Sequence, residues 1–197
     1  MGMETFTIYG KLGFEHVLDP AGYDHVLFLI ALAIPFTYRQ WRPVVWLATL
    51  FTIAHCLSLA LAAFGWVEVD SAWVEFLIPV TILLTAGFNL WILRQDWDSS
   101  RALKWHLMAT SIFGLIHGFG FSNYFSMLMS GEEEKTSPLL GFALGIEGAQ
   151  LVVLAVVLLL SYFLLDKLRL PRKPYIALVS LAILVLSGVL AVNAFPL

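Results

Sequence analysis

The residues able to carry chemistry in this chain are few and clustered by type. The stretch Phe14 to Pro35, FEHVLDPAGYDHVLFLIALAIP, sets His16, Asp24 and His25 at the mouth of a long apolar run, while His55, His117 and Glu147 each interrupt a later one. In hydrocarbon such side chains are expensive, and they are tolerated where they pair, line a water-filled cavity or hold an ion. Imidazole nitrogen combined with carboxylate oxygen suits borderline divalent cations such as nickel, cobalt, zinc or iron. A bound dication also offsets the cost of keeping Glu147 as an anion in a low dielectric. Asp24, next to His25, is placed either to ligate or to orient an imidazole. The lone cysteine, Cys56, offers neither a thiolate pair for a soft metal nor an intrachain disulfide, and fits a small packing residue.

The elements that must position these groups are membrane helices. Of 197 residues 60% are hydrophobic and 13% charged, with a mean hydropathy of +0.86, which predicts an all-α, polytopic membrane bundle forming one integral-membrane domain over residues 1–197. Six spans are expected, at about Tyr23 to Tyr38, Pro43 to Gly65, Ala72 to Leu93, Leu103 to Leu128, Pro138 to Leu165 and Pro174 to Ala194, with a seventh, short interfacial helix possible at the N-terminus. The N-terminus shows no recognisable signal peptide, so either the first span inserts directly or a leader is missing from the sequence. A net charge of -3 leaves no basic surface for nucleic acid.

Nine of the eleven cations fall on alternate loops: Arg39 and Arg42; Arg94, Arg101 and Lys104; Lys167, Arg169, Arg172 and Lys173. Such loops stay cytoplasmic, so both termini are expected outside. Trp41, Trp46, Trp66, Trp73, Trp91, Trp97 and Trp105 fall near span ends, as interfacial anchors do, and the acidic run Glu132 to Glu134 fits a solvated loop.

With the orientation fixed, position converts to depth at about 1.5 Å per residue. His25 opens the first span from outside, and Glu75 opens the third. His55 lies about 18 Å from the inner start of its span, His117 about 21 Å from the inner start of its own, and Glu147 about 14 Å below the outer surface. Rare ionisable residues from five spans thus converge on the outer half of the bilayer. Thr52 and Ser58 share the face of His55, and Gln150 that of Glu147, as supporting partners. Gly114 with Gly118, and Gly141 with Gly145, have the spacing that lets membrane helices approach closely; Gly118 and Gly120 also fit a local loosening near His117. His106 fits a surface or headgroup contact, and Asn89 a link between helices.

The stretches DHVLFL at Asp24, FTIAHCLSLALAAFG at Phe51, VEFLIPVTI at Val74, NL at Asn89, FGLIHGFGF at Phe113 and LGIEGAQL at Leu144 together resemble the HupE/UreJ family of bacterial membrane proteins. That resemblance implies an inner-membrane protein of nickel or cobalt acquisition, with metal handled by His16, Asp24, His25, His55, His117 and Glu147. Two departures stand out: the spacing from His16 to Asp24 is longer than the usual HX5DH arrangement, and Ala143 stands where an asparagine is common. The residues themselves are compatible with a permease for nickel, cobalt or zinc, in which Glu75 is a ligand, gate or interfacial group. They are also compatible with a membrane-embedded zinc-type hydrolase or transferase acting on a lipid or lipid-anchored substrate, with Glu147 or Asp24 as general base. Haem ligation by His55 and His117 is a third possibility.

Overall fold

A computed structural model describes residues 2–95, 99–132 and 134–196. Among them there are seven α-helices and no strand: α1 (Gly2–Val17), α2 (Asp24–Ala33), α3 (Trp41–Ala63), α4 (Ser71–Ile92), α5 (Ser99–Leu128), α6 (Thr136–Tyr162) and α7 (Arg172–Asn193). A 3-10 turn, Tyr38–Gln40, leads into α3, and a π-helical turn, Phe163–Lys167, extends α6. Among the described residues four segments are long and apolar enough to cross a membrane: Tyr38–Ala63, Ser71–Ile92, Thr136–Lys167 and Arg172–Asn193. α5 has ample length, but His106, Thr110, Ser111, His117, Ser122 and Asn123 make it more polar than these four.

The N-terminal region departs most from expectation. The first expected span, Tyr23 to Tyr38, is α-helical over ten residues, Asp24–Ala33, because Pro35 has no N–H to carry the helical hydrogen-bond ladder further and the chain turns there. Ten residues rise about 15 Å, half of a ~30 Å hydrocarbon core. The segment before it, where a seventh, short interfacial helix was possible, forms the 16-residue helix α1. α1 packs along α6, glycine against glycine: a Cβ added at Gly145 would sit 2.0 Å from the Gly10 carbonyl oxygen, and one at Gly141 would sit 2.4 Å from that of Phe6. Phe6 meets Gly141, and Gly10 and Phe14 meet Gly145, so the two helices run parallel. Small residues remove the steric barrier between two backbones, and dispersion then holds them together.

The same device joins α3 to α5. A Cβ at Gly114 would meet Ala54 Cβ and Phe51 O at 2.8 Å, and one at Gly118 would meet Ser58 Oγ at 2.0 Å. α5 is unbroken through Gly118 and Gly120, so Gly118 serves close approach and not a break in the helix.

Helix ends are satisfied locally. Gly65, at φ +71°, closes α3 through a Trp66 N–H bond to Leu61 O at 2.9 Å, and Lys135 Nζ donates to Ala63 O at 2.6 Å. Asp70 accepts the Ala72 N–H at the start of α4. Glu134, placed by expectation in a solvated loop, accepts the N–H groups of Thr136 and Ser137 at the start of α6. Hydrogen bonds from those residues hold its carboxyl below the usual carboxylate range. Asn89 of α4 donates to Ala31 O of α2 at 2.7 Å, linking those helices as expected.

Phe28, Phe51, Phe125 and Phe142 are buried at the centre, whereas Leu178, Val185 and Val192 of α7 are exposed, as suits a surface bathed in lipid. Trp41, Trp46, Trp66, Trp73, Trp91 and Trp105 are all exposed; Trp97 lies outside the described residues.

Candidate metal centre

Four helices deliver one imidazole each to a single buried volume. His16 comes from the last turn of α1 and His25 from the first turn of α2, with His55 from α3 and His117 from α5. His25 is the hub: its ring centroid lies 4.6 Å from that of His16, 5.9 Å from His55 and 5.5 Å from His117. The chain between α1 and α2 turns at residues 18–23, where Asp19 accepts the Ala21 N–H and the Gly22 N–H reaches Asp19 O. That turn gives His16 and His25 one location despite the long spacing between His16 and Asp24.

The donor atoms form two overlapping sets. Those of His16, His25 and His55 lie within 4.8 Å of one another, and so do those of Asp24, His25 and His117. Nitrogens sharing one tetrahedral ion at about 2.1 Å stand roughly 3.4 Å apart, a separation on the scale of these clusters. Phe51, Phe121 and Phe142 pack around these rings, the closest being Phe121 against His16 at 4.0 Å. Apolar walls of this kind exclude water, which strengthens charge–dipole interactions inside.

Hydrogen bonds fix which nitrogen of each ring is free. Asp24 Oδ1 accepts both the His25 backbone N–H, at 2.9 Å, and its ring Nδ1, at 3.2 Å. A carboxylate can only accept, so Nδ1 carries the proton and Nε2, buried and unpartnered, keeps its lone pair. Thr81 gives its one hydroxyl proton to Ile78 O at 2.7 Å. It therefore accepts from His117 Nε2 at 3.0 Å, which leaves the buried Nδ1 of His117 as a free lone pair. His55 is 0% exposed, and neither of its ring nitrogens has a partner. Buried polar atoms left unbonded are rare, and a set of imidazole lone pairs facing one another is what a borderline cation satisfies.

The remaining candidates lie elsewhere. Glu147 accepts from Thr49 at 2.7 Å and from Thr52 at 2.6 Å, and is in neither donor set. Thr52 also bonds Gln150 Oε1, at 3.1 Å. Ser58 donates to its own helix at His55 O, at 2.8 Å, and Glu75 is exposed on α4, one turn past its start. His106 is 3% exposed and packs against Phe36 and Phe88, so burial overturns its expected surface position. His25 stands within 6 Å of both His55 and His117, filling the slot that a porphyrin between those two rings would need.

Thr81 and Thr49 were not picked out from the sequence. Their signal was a polar stripe on an otherwise apolar helix: Thr81, Thr85 and Asn89 recur every four residues, and Thr49, Thr52 and His55 every three.

An open cavity of about 590 Å3 reaches His16, lined also by Leu12, Phe14, Glu15, Asp19 and Tyr124 among others. His16 is thus the half-buried member of the cluster, while the other three imidazoles are 0–4% exposed.

No curated protein and no solved structure matches this chain. A buried cluster of unpartnered imidazoles in an apolar helical bundle nevertheless agrees with what a family comparison finds. The model described as HupE / UreJ protein matches residues 1–194, and the chain belongs to that membrane-protein family, which is associated with nickel and cobalt transport.

Proposed function

We propose that the protein is a permease for a divalent transition metal of the nickel or cobalt type, with His16, Asp24, His25, His55 and His117 as its binding centre. The observation that carries this is His55, fully buried with two unpartnered ring nitrogens, in a donor set with His16 and His25. The open cavity at His16 supports capture from one surface, with Glu15 and Asp19 at its wall. Neutral imidazoles bind nickel, cobalt and zinc, and the carboxylate of Asp24 holds the His25 tautomer while lowering the net charge of the loaded site.

In this reading the chain crosses the bacterial inner membrane six times, with α1 and α2 in succession making the first crossing. α1 runs parallel to α6 and ends at His16, and α2 continues for about 15 Å from there. The positive-inside distribution of Arg39, Arg42, Lys167, Arg169, Arg172 and Lys173 supports an orientation with both termini outside. α2 then begins within the bilayer, as the half-helices of transporters do at their binding sites.

The second reading is a metal-dependent hydrolase or transferase acting on a lipid. The cavity at His16 favours it, because its volume lies within the range of small-molecule sites and Phe14, Leu18 and Phe121 line it. The two readings separate by exchange of the ion. Purified protein reconstituted in liposomes is expected to bind nickel or cobalt reversibly and to accumulate it inside, and His55→Ala is expected to abolish both. Tightly held, nonexchangeable zinc with no accumulation would overturn the permease in favour of the enzyme.

A further inference from the structure

We propose that one end of the bundle, where the 3-10 turn before α3, the π-helical turn of α6 and the start of α7 come together, is a seat for the phosphate group of an anionic phospholipid. The seat makes no use of the histidine centre and stands whether or not the protein is a permease.

Three of the segments able to cross a membrane begin or finish here: Tyr38–Ala63 and Arg172–Asn193 at their starts, and Thr136–Lys167 at its finish. Residues 35–42 and 162–175 hold six cations, Arg39, Arg42, Lys167, Arg169, Arg172 and Lys173, against a single acid, Asp166. All seven are exposed. The two stretches touch: the rings of Tyr38 and Tyr162 meet edge to face with centroids 4.9 Å apart, and Arg172 donates to Pro35 O. Each ring carries a cation, since Arg39 Nε donates to Tyr38 Oη at 3.1 Å and Lys167 Nζ lies 5.7 Å from the centre of Tyr162. Long cationic side chains held in this way lose less freedom when an anion arrives.

Positive charge that serves only to orient a loop asks for no particular geometry. Arg169 has one. Its φ of 55° is left-handed, and among the described residues no other non-glycine has a positive φ. It closes the end of α6, where the Leu168 N–H reaches Phe163 O at 2.9 Å and the Leu170 N–H reaches Leu164 O at 3.0 Å. Glycine is the ordinary residue for such an end, because it has no Cβ to clash. A long cation kept there, between Lys167 and Arg172, is explained by a use for its charge. Phe163, Leu168 and Leu170 beside it are exposed apolar groups. A phosphate ion from solution has no use for them, whereas a lipid lays acyl chains on them and sets its phosphate among the guanidinium and ammonium groups.

The test uses full-length protein in a maltoside detergent, with phosphatidylglycerol and phosphatidylcholine of identical acyl chains as probes and native mass spectrometry to count bound lipid. The first phosphatidylglycerol is expected to bind at least about tenfold more tightly than phosphatidylcholine, since each Lys or Arg near an anionic surface is worth about fivefold. Arg169→Gly is expected to lose about fivefold of that preference. Its lipid-free melting temperature is expected to stay level or rise, because glycine takes the left-handed conformation without strain. Arg39→Gln combined with Lys167→Gln is expected to abolish the preference, and Lys104→Gln, which removes one exposed charge from α5, to leave it within about twofold. Equal binding of the two lipids would overturn the proposal. So would a loss in Lys104→Gln as large as that in Arg169→Gly, which would make the attraction a property of the whole charged face. Release of phosphatidylglycerol by inorganic phosphate would overturn it in favour of a soluble anion, and a lower lipid-free melting temperature in Arg169→Gly would do so by assigning Arg169 to the fold.

Discussion

Replacing Gly145 by alanine tests whether the seat of α1 on α6 holds His16 in the centre. The added Cβ would lie 2.0 Å from Gly10 O, 2.9 Å from Gly10 C and 2.9 Å from Phe14 N, all backbone atoms that no rotamer change can move. Ordinary contact starts near 3.4 Å, so α1 must withdraw by about 1.4 Å along that line. Overpacking of this kind costs about 1–3 kcal/mol. His16 lies two residues beyond Phe14, and metal–ligand distances tolerate only about 0.2 Å, so the same shift takes His16 out of reach of an ion held by His25 and His55. The loss in metal affinity is expected to equal or exceed the roughly 10–100-fold typical of removing a group that merely orients a ligand. Gly188→Ala is the control, because a Cβ there meets nothing within 4 Å and alanine has the better helix propensity. Isothermal titration with nickel and thermal unfolding in one detergent would measure both variants. Wild-type affinity in Gly145→Ala would refute the claim that α1 is held by its glycine face and that His16 depends on it.

Two further substitutions probe the supporting bonds. Thr81→Val removes the acceptor that fixes His117 with its proton on Nε2, and is expected to lower nickel affinity about 10–100-fold while the protein stays folded; titration beside a circular dichroism melt checks both parts. Asn89→Leu leaves Ala31 O without its partner from α4 and is expected to cost about 1–3 kcal/mol. Because α2 also carries Asp24 and His25, nickel titration of Asn89→Leu should show weaker binding, and an unchanged melt would remove Asn89 from its linking role.

How far the site was legible depended on the kind of information each residue carries. His25, His55 and His117 stand out because an imidazole in an apolar run needs a partner, whether an ion or a hydrogen bond from another helix, and the glycine spacings at 114/118 and 141/145 do mark close helix contacts. Depth alone, however, put Glu147 in the same layer, and depth along an axis says nothing about rotation about it. On α6 the face bearing Glu147 looks to Thr49 and Thr52 instead. His106 was misplaced for the converse reason: nearness to a helix end suggested exposure, but Phe36 and Phe88 cover it. α1 is hard to read because Glu4, Lys11 and Glu15 dilute its hydropathy, while its signal is Gly10, set against Gly141 and Gly145, and Gly13, set against the backbone of Phe142 and Ile146.

The break between α1 and α2 is what makes the centre possible. On one continuous helix His16 and His25 would be nine residues and about 13.5 Å apart along the axis, too far to share an ion. The turn at residues 18–23 replaces that separation with ring centroids 4.6 Å apart. It also puts the first turn of α2 at the cluster, where its free N–H groups and dipole favour the carboxylate of Asp24. The extra residues between His16 and Asp24 relative to the shorter family spacing therefore need not displace His16. In a turn, unlike in a helix, added residues lengthen a loop without rotating or translating the ends it joins, so long as each end is held by its own packing. Here α1 is held by α6 through glycine contacts and α2 by α4 through Asn89. The geometry of the centre is thus set by two helix–helix contacts and not by the count of residues between its ligands.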